Sequence, residues 1–180
     1  MHDYTPSMFA YWLKDITDAC HIGEVVPHCT NGIRFIESQD RFLSSSYLYI
    51  AEASTMLSVL EEAVIPDSGL FFIVSGHLHP QTREDLPKTV SLLETNTSLL
   101  NLYNRVQQHA HAFRSWTMDL QKILYTNGGL QEMLQCASTL LDTTILLVNA
   151  GYKHIAAVYN PEVHDTTADE LQQNGYQSFN

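Results

Sequence analysis

Residues 97–127 read TSLLNLYNRVQQHAHAFRSWTMDLQKILYTN, and this stretch decides how the rest of the chain is arranged. Apolar side chains recur in it at the seven-residue spacing of a coiled coil, which predicts one unbroken helix. At about 1.5 Å per residue, the helix would be roughly 45 Å long. We call its apolar edge the seam. The seam consists of Leu99, Val106, Phe113 and Leu120, with Tyr103, Ala110, Thr117 and Leu124 in the companion positions.

The length of this helix indicates a second subunit, because one small domain needs a shorter helix to cover its own core. We therefore expect a homodimer in which two copies of the helix pair. The helix residues expected at the dimer contact are Leu99, Tyr103, Val106, Phe113, Leu120 and Leu124. The alternative is an ordinary amphipathic helix whose seam packs on its own chain.

Composition bounds the class of protein. The chain has 180 residues, and 44% of them are hydrophobic, which is enough for a real core in one large or two small domains. Nine Lys and Arg stand against 20 Asp and Glu, which gives a formal charge of -11. A surface of that charge repels phosphate backbones, so we expect no DNA binding by this polypeptide.

Localisation is predicted from what the sequence contains. No apolar run approaches the ~20 residues of a membrane span, and residues 1–12 lack the pattern of a signal peptide. The three cysteines, Cys20, Cys29 and Cys136, are too few for a disulfide framework and fit a reducing compartment. We expect a soluble, cytoplasmic protein without a membrane partner.

Strands alternate with helices over the first half, which predicts a small, mainly parallel α/β domain at residues 1–95. We expect a first helix from Pro6 to about Cys20, and then short strands in EVV (24–26) and IRFI (33–36). YLYIAEAS (47–54) should be a strand that leads into a helix at Ser54, whose side chain should cap residues 56–63. GLFFIVSG (69–76) and KTVSLLE (88–94) read as further strands, the first of them buried on both faces.

The second half has a different pattern. LQEMLQCASTLLD (130–142) predicts an amphipathic helix, and TTILLVN followed by KHIAAVY predicts a β-hairpin with its turn at Ala150 and Gly151. A last helix should begin at Asp165 or Thr166, run through Leu171 and end at Gly175. The inward side chains of the first helix should be Leu130, Met133, Leu134, Ala137, Leu140 and Leu141. This is too little sheet for a closed domain, so it either docks on another copy or is incomplete.

Several of these segments together resemble the N-terminal sensory part of PucR/CdaR-like bacterial transcription regulators. The resemblance spans residues 47–180, and its most specific pieces are NLYNRVQ (101–107), with Trp116 downstream, and the helix and hairpin at 130–158. The other segments that carry it are LYIAEASTMLSVLEEA (48–63), GLFFIVSG (69–76), the rest of the stretch 89–124, and ADELQQNGYQSF (168–179). These are packing patterns, which indicate a shared architecture more than a shared ligand.

The resemblance implies a cytoplasmic regulator whose α/β input domain and GAF- or PAS-like domain respond to a small molecule. In that family a C-terminal helix-turn-helix binds DNA. This chain stops at Asn180 without a basic recognition helix, so DNA contact would require a helix-turn-helix beyond it. The family hairpin would be followed by more strands, which leads us to expect either a truncated piece or a naturally short product.

The segment SGHLHPQ (75–81) is the candidate ligand site. It follows a buried strand, and loops at the carboxyl ends of parallel strands are where α/β sheets bind ligands. The expected ligand residues are Ser75, Gly76, His77 and His79; the two histidines should project to one side, and Gly76 should allow close backbone approach. The alternative is a solvated turn that Pro80 ends.

Other groups of polar residues favour structural roles. Cys20-His21 and His28-Cys29 offer zinc-type ligands, but adjacent residues point in different directions and the usual spacing is missing. His109 and His111 should lie on the helix surface, and Trp116 should bury its ring against one domain. No nucleophile elbow, dinucleotide turn or HExxH helix occurs, so no enzyme activity, metal or cofactor is predicted.

These observations together predict an α/β protein of three parts: a small mainly parallel sheet domain (1–95), a long linker and dimerisation helix (96–128), and a partial GAF/PAS-like α+β segment (129–180). The predicted function is sensory: a small metabolite binds with different affinity to two helix arrangements and so biases helix pairing. The first alternative is a constitutive dimerisation module without a ligand. An enzyme of unfamiliar type is the second.

Overall fold

A computed structural model describes residues 4–151, 153–163 and 166–174. The chain forms two compact units that divide between Ala110 and His111, inside the long helix. The prediction of an α/β protein with a mainly parallel sheet, a long helix and a second small sheet is confirmed. In the part of the chain that the structure describes, no helix combines the length and apolarity that a membrane span requires.

The first unit contains a five-stranded sheet and the helices that cover it. Its elements are α1 (Pro6–Trp12), β1 (Ala19–His21), β2 (Gly32–Phe35), β3 (Tyr47–Glu52), α2 (Ala53–Glu62), β4 (Leu70–Ser75), α3 (Pro80–Glu84), β5 (Val90–Thr95) and the beginning of α4 (Leu99–Tyr125). The strand order is β1-β5-β4-β3-β2, in which β2 to β5 are parallel and the short β1 is antiparallel to β5.

Both faces of the sheet are covered, which explains why β4 and β5 read as continuous apolar runs. One face carries Tyr49, Phe72 and Leu92, which pack in one cluster with Met56 and Val59 of α2. On the opposite face, the ring of Phe71 lies 6.0 Å from that of Phe9 in α1. The ring of Phe35 in β2 lies 4.7 Å from that of Tyr103 in α4, on the same side. The first unit is therefore a three-layered α/β sandwich.

Only the first part of α4 belongs to this core. Leu102, Val106 and Ala110 are fully buried, and the hydroxyl of Tyr4 donates a hydrogen bond of 3.2 Å to the carbonyl of Ala110. In this first part of α4, the protein's own chain covers the apolar side chains, as the alternative prediction expected. Leu102 is not a seam residue, because burial here follows the four-residue spacing of one helix face and not the heptad.

Three details of the predicted first half are wrong. The first helix ends at Trp12, and Ala19–His21 form β1, because their backbone groups find partners on the edge of β5. Residues 24–26 form no strand; the amide of Glu24 instead donates to the carbonyl of Lys88 at 2.7 Å. Ser54 is the second residue of α2 and not its cap, since β3 leads directly into the helix at Ala53.

The second unit contains the rest of α4, then α5 (Leu130–Leu141), β6 (Ile145–Val148), β7 (His154–Val158) and α6 (Thr166–Asn174). The predicted hairpin is confirmed: β6 and β7 are antiparallel, and the side-chain amide of Gln131 in α5 donates to the carbonyl of Ala157 at 2.8 Å. The last helix is also present from Thr166. The predicted cap at Asp165, the helix end at Gly175 and residues 176–179 lie outside the described residues.

The burial predicted for α5 is wrong at both ends of the helix. Leu130 and Leu141 are exposed, and Ser138 is the only residue classed as buried among the described residues of this helix. Met133, Leu134, Ala137 and Leu140 are half-buried. Two strands offer too little surface to cover a whole helix face, so the ends of the apolar face remain in solvent.

Candidate functional site

The predicted ligand segment lies at the carboxyl edge of the parallel sheet. There β3, β4 and β5 end side by side, with Glu52 paired to Ser75 and Ser75 paired to Thr95 in the register. This edge is the usual place for ligands in open α/β sheets.

The first two residues of the segment are held by the backbone that follows β5. The hydroxyl of Ser75 donates to the carbonyl of Thr97 at 2.7 Å, and the amide of Gly76 donates to the carbonyl of Thr95 at 2.8 Å. Gly76 has a φ of +103°, which L side chains rarely adopt. The turn after β4 is therefore fixed by conformation and hydrogen bonds.

The two histidines of the segment have different surroundings. His77 is half-exposed and lies between two carboxylates: its Nδ1 is 3.8 Å from Oε2 of Glu94, and its Nε2 is 3.8 Å from Oδ2 of Asp18. His79 is the N-cap residue of α3, where its Nδ1 accepts a hydrogen bond of 3.4 Å from the amide of Gln81. Both imidazoles are exposed, but only His77 belongs to a group of charged side chains.

Glu94 is the centre of that group. It is 1% exposed, and its carboxylate accepts hydrogen bonds from Nε and Nη2 of Arg83 at 2.6 and 2.9 Å and from the amide of Leu78 at 3.0 Å. Burial raises the pKa of Glu94, but these hydrogen bonds and the charge of Arg83 outweigh burial and hold its pKa below the usual range. The same hydrogen bonds raise the pKa of Arg83.

We call Asp18, His77, Arg83 and Glu94 the edge cluster. Asp18 is tied to the same edge, because its backbone amide donates to the carbonyl of Glu94 at 2.8 Å and its carboxylate accepts from the amide of Asn96 at 2.8 Å. The edge cluster offers two carboxylates, a guanidinium and an imidazole in a small space. These groups suit recognition of a polar molecule by hydrogen bonds and charge.

Sequence reasoning found His77 but missed the other three members of the edge cluster. The available signal was Glu94 itself, a charged residue at the end of the apolar run VSLL, at a position that the alternation of β5 places in the interior. A buried carboxylate needs donors, and the preceding segment TREDLPK contains two candidate cations, Arg83 and Lys88. Asp18 carries no comparable signal, because its position depends on β1.

The other histidines and cysteines have separate environments. His109 is half-buried, not on the surface as predicted: its ring stacks on Trp12 at 5.8 Å, and burial holds its pKa below the ordinary value. His111 is exposed. Within residues 4–151, 153–163 and 166–174, no three His, Cys, Asp or Glu side chains lie close enough to share a metal ion. Burial raises the pKa of Cys29 to about 12.

The residues predicted for the dimer contact differ in exposure. Val106 is fully buried by its own chain, and Tyr103 packs on Phe35. Leu99, Phe113 and Leu120 are half-buried, whereas Leu124 is 59% exposed. Leu124 is therefore the most exposed of the residues predicted for the dimer contact.

Trp116 lies on the part of α4 that belongs to the second unit. Its ring is half-buried, and its Nε1 donates a hydrogen bond of 3.0 Å to the carbonyl of Cys136 in α5.

Comparison with family models, with curated proteins and with solved structures gives no match to this chain.

Proposed function

We propose that this chain is the sensory, non-DNA-binding portion of a ligand-responsive bacterial transcription regulator of the PucR/CdaR type. In this proposal a small polar metabolite binds at the edge cluster, and the signal passes along α4, which pairs with a second copy. The protein is cytoplasmic, and a helix-turn-helix beyond this chain would contact DNA. The three free cysteines support a reducing compartment.

The observation that carries the proposal is the buried carboxylate of Glu94 at the carboxyl edge of the sheet. A charge in that position costs free energy unless donors compensate for lost water, so its place at the usual ligand edge favours a binding role. The carboxylates of Asp18 and Glu94 outnumber the guanidinium of Arg83 there, and the half-exposed His77 lies between the two carboxylates. We infer that the effector carries amino, amide or hydroxyl donors.

A second observation supports signalling through α4. The helix is continuous over 27 residues, is fully buried at Val106 and is largely exposed at Leu124. A rigid helix that is anchored at one end and exposed at the other can couple ligand binding to helix pairing, provided that the ligand prefers one arrangement.

The binding part is tested by a thermal-shift screen of metabolites that carry amino, amide or hydroxyl groups. A true effector raises the Tm of the native chain, since a ligand at a hundred times its Kd stabilises by about 2.7 kcal/mol. We expect His77→Ala to reduce the shift and the exposed helix variant His111→Ala to preserve it. If the hits shift native and His77→Ala chains equally, the edge cluster is not the site.

The alternative, a constitutive dimerisation module, is favoured by the exposure of Leu124 and would need no effector. The sensor and the dimerisation module both predict a mass in solution of twice the chain's 20.4 kDa, which sedimentation equilibrium can measure. Leu124→Glu should lower that mass, while the conservative variant Leu124→Met should not. An effector that changes the dimer dissociation constant supports the sensor; an effector-independent constant supports the module.

A further inference from the structure

The second unit contains a groove between α4 and α5. One face of α4, from Ala112 to Ile123, together with Thr126 just after its end, faces one side of α5, from Glu132 to Leu140. Two adjoining cavities of about 450 and 410 Å³ lie along it and share Asp119, Cys136 and Thr139. Each falls within the range of small-molecule sites, roughly 300–1,000 Å³.

The groove is held in shape by bonds between and within the helices. The Nε1 of Trp116 donates a hydrogen bond to the carbonyl of Cys136 across the groove. The hydroxyl of Thr139 donates a hydrogen bond of 2.9 Å to the carbonyl of Gln135 in its own helix. The turn between the helices is tight, since a Cβ on Gly128 would lie 2.4 Å from a methyl carbon of Ile123. The groove is thus a formed feature of the helix pair.

The two ends of the groove differ in chemistry. Ala112, Trp116 and Leu140 line only one of the cavities. Lys122, Ile123 and Glu132 line only the other, and Asp119 lines both. A molecule with an apolar body and a charged end matches this lining.

The residues that line the groove indicate the charge of the ligand's polar end. Two carboxylates stand against one ammonium, and the whole chain carries -11, which favours cations at this surface. Independently, burial and then the nearby charge of Asp119 raise the pKa of the Cys136 thiol, which agrees with a carboxylate directed into the groove.

We propose that the groove binds a small organic cation with an apolar body, whose ammonium group lies between Asp119 and Glu132 and whose apolar part packs on Trp116 and Leu140. This site goes beyond the proposed function. It lies in the second unit and uses none of the edge cluster.

The test uses Trp116 as its own reporter in a Trp12→Phe chain, in which it is the only tryptophan. The probes are 2-phenylethylamine, the neutral 2-phenylethanol and the anionic 3-phenylpropionate. We expect a saturable fluorescence change with the amine at a Kd of ~1 mM, typical of a fragment of this size. The neutral probe should bind about 5-fold more weakly and the anion at least 10-fold more weakly, as expected for loss of one partly exposed ion pair.

Two carboxamide variants test the charge. Asp119→Asn and Glu132→Gln should each raise the Kd of 2-phenylethylamine about 5-fold. Each should also reduce the ratio by which the chain prefers this amine to 2-phenylethanol. The matched control is Met118→Ala, an exposed side chain on α4 that does not line the groove, and its Kd should equal that of the parent chain. Far-UV circular dichroism verifies that each variant keeps its helices.

A second readout avoids substitutions in the groove. In a Cys20→Ser chain, alkylation of Cys136 by iodoacetamide should slow when the amine is present, while Cys29 stays unreactive because it is buried. Equal affinity of the three probes overturns the proposed charge preference. No saturable binding of any probe, or unchanged alkylation at saturating amine, overturns the site. Loss of metabolite binding at the edge cluster would leave these results unaffected.

Discussion

Replacing Arg83 by methionine leaves the buried carboxylate of Glu94 with one donor, the amide of Leu78, where it had three. Each hydrogen bond to a charged group contributes roughly 1.5–3 kcal/mol. Two are lost, but Arg83 is 29% exposed, so water can replace part of them. We expect Arg83→Met to lower the free energy of unfolding by about 3 kcal/mol at pH 7, the lower end of the range for a broken buried pair.

A double-mutant cycle separates the ion pair from packing. Glu94→Gln removes the charge but keeps an acceptor for the amide of Leu78, and we expect a loss of about 2 kcal/mol. Arg83→Met combined with Glu94→Gln should cost about 1.5 kcal/mol less than the sum of the single changes, because no buried charge is left without a partner.

The assay is urea unfolding followed by Trp12 fluorescence in a Trp116→Phe background, which reports on the unit that contains the ion pair. The matched control is Lys88→Met. Its ion pair with Glu24 is 79% and 68% exposed, so no detectable change is expected.

The lowered pKa of Glu94 determines how the stabilisation by this ion pair changes with pH. The pKa of Glu94 is lower in the folded protein than in the unfolded chain, so its stabilisation is complete above the unfolded value of about 4.3 and is lost as pH falls through the folded value. The difference between native and Arg83→Met chains should therefore shrink below about pH 4. A native-like free energy of unfolding for Arg83→Met, or a difference that persists in acid, would refute the reasoning.

Three further predictions follow from single positions. Gly69→Ala should lower the free energy of unfolding by about 2 kcal/mol, because Gly69 has a φ of +83° and a new Cβ would lie 2.9 and 3.0 Å from two backbone carbonyl oxygens. In native protein a disulfide reagent should modify the exposed Cys20 and leave Cys29 intact until denaturant is added, since burial raises the pKa of Cys29 to about 12. Protonation of His109 should quench Trp12 with a midpoint below pH 6.5, because burial lowers the pKa of His109.

Each of these predictions has its own control. Gly129→Ala, whose Cβ would meet nothing within 4 Å, should change stability far less than Gly69→Ala. If Cys29 reacted with the reagent as fast as Cys20 in the native protein, Cys29 would be accessible to solvent and the prediction would be wrong. The fluorescence titration is done in the Trp116→Phe chain, and the transition should vanish in His109→Gln; if it persists there, another group quenches Trp12.

Several parts of the fold were predictable because the signal is local. The apolar run at Leu70–Ser75 predicts a strand buried on both faces, and the periodicity of Leu99–Tyr125 predicts an unbroken helix. The hairpin of the second unit follows from two short apolar runs and a turn. In each case neighbouring residues alone determine the backbone.

The candidate site was predictable only at His77, because its position after a buried strand is a sequence feature. The three partners of His77 in the edge cluster come from different parts of the chain. Asp18 reaches the edge through the pairing of Ala19 with Glu94, and Arg83 does so through α3. No local pattern contains that information.

The sequence by itself therefore determined the type of most elements and the place of one loop at the carboxyl edge of the sheet, since hydrophobic period and turn residues act over a few positions. Only the tertiary structure decided that Ala19–His21 is a strand, that Val106 is covered by its own chain and that Glu94 is buried against Arg83. These outcomes depend on which surfaces meet. A backbone edge, an apolar face or a buried charge obtains its partner from residues that are distant along the chain.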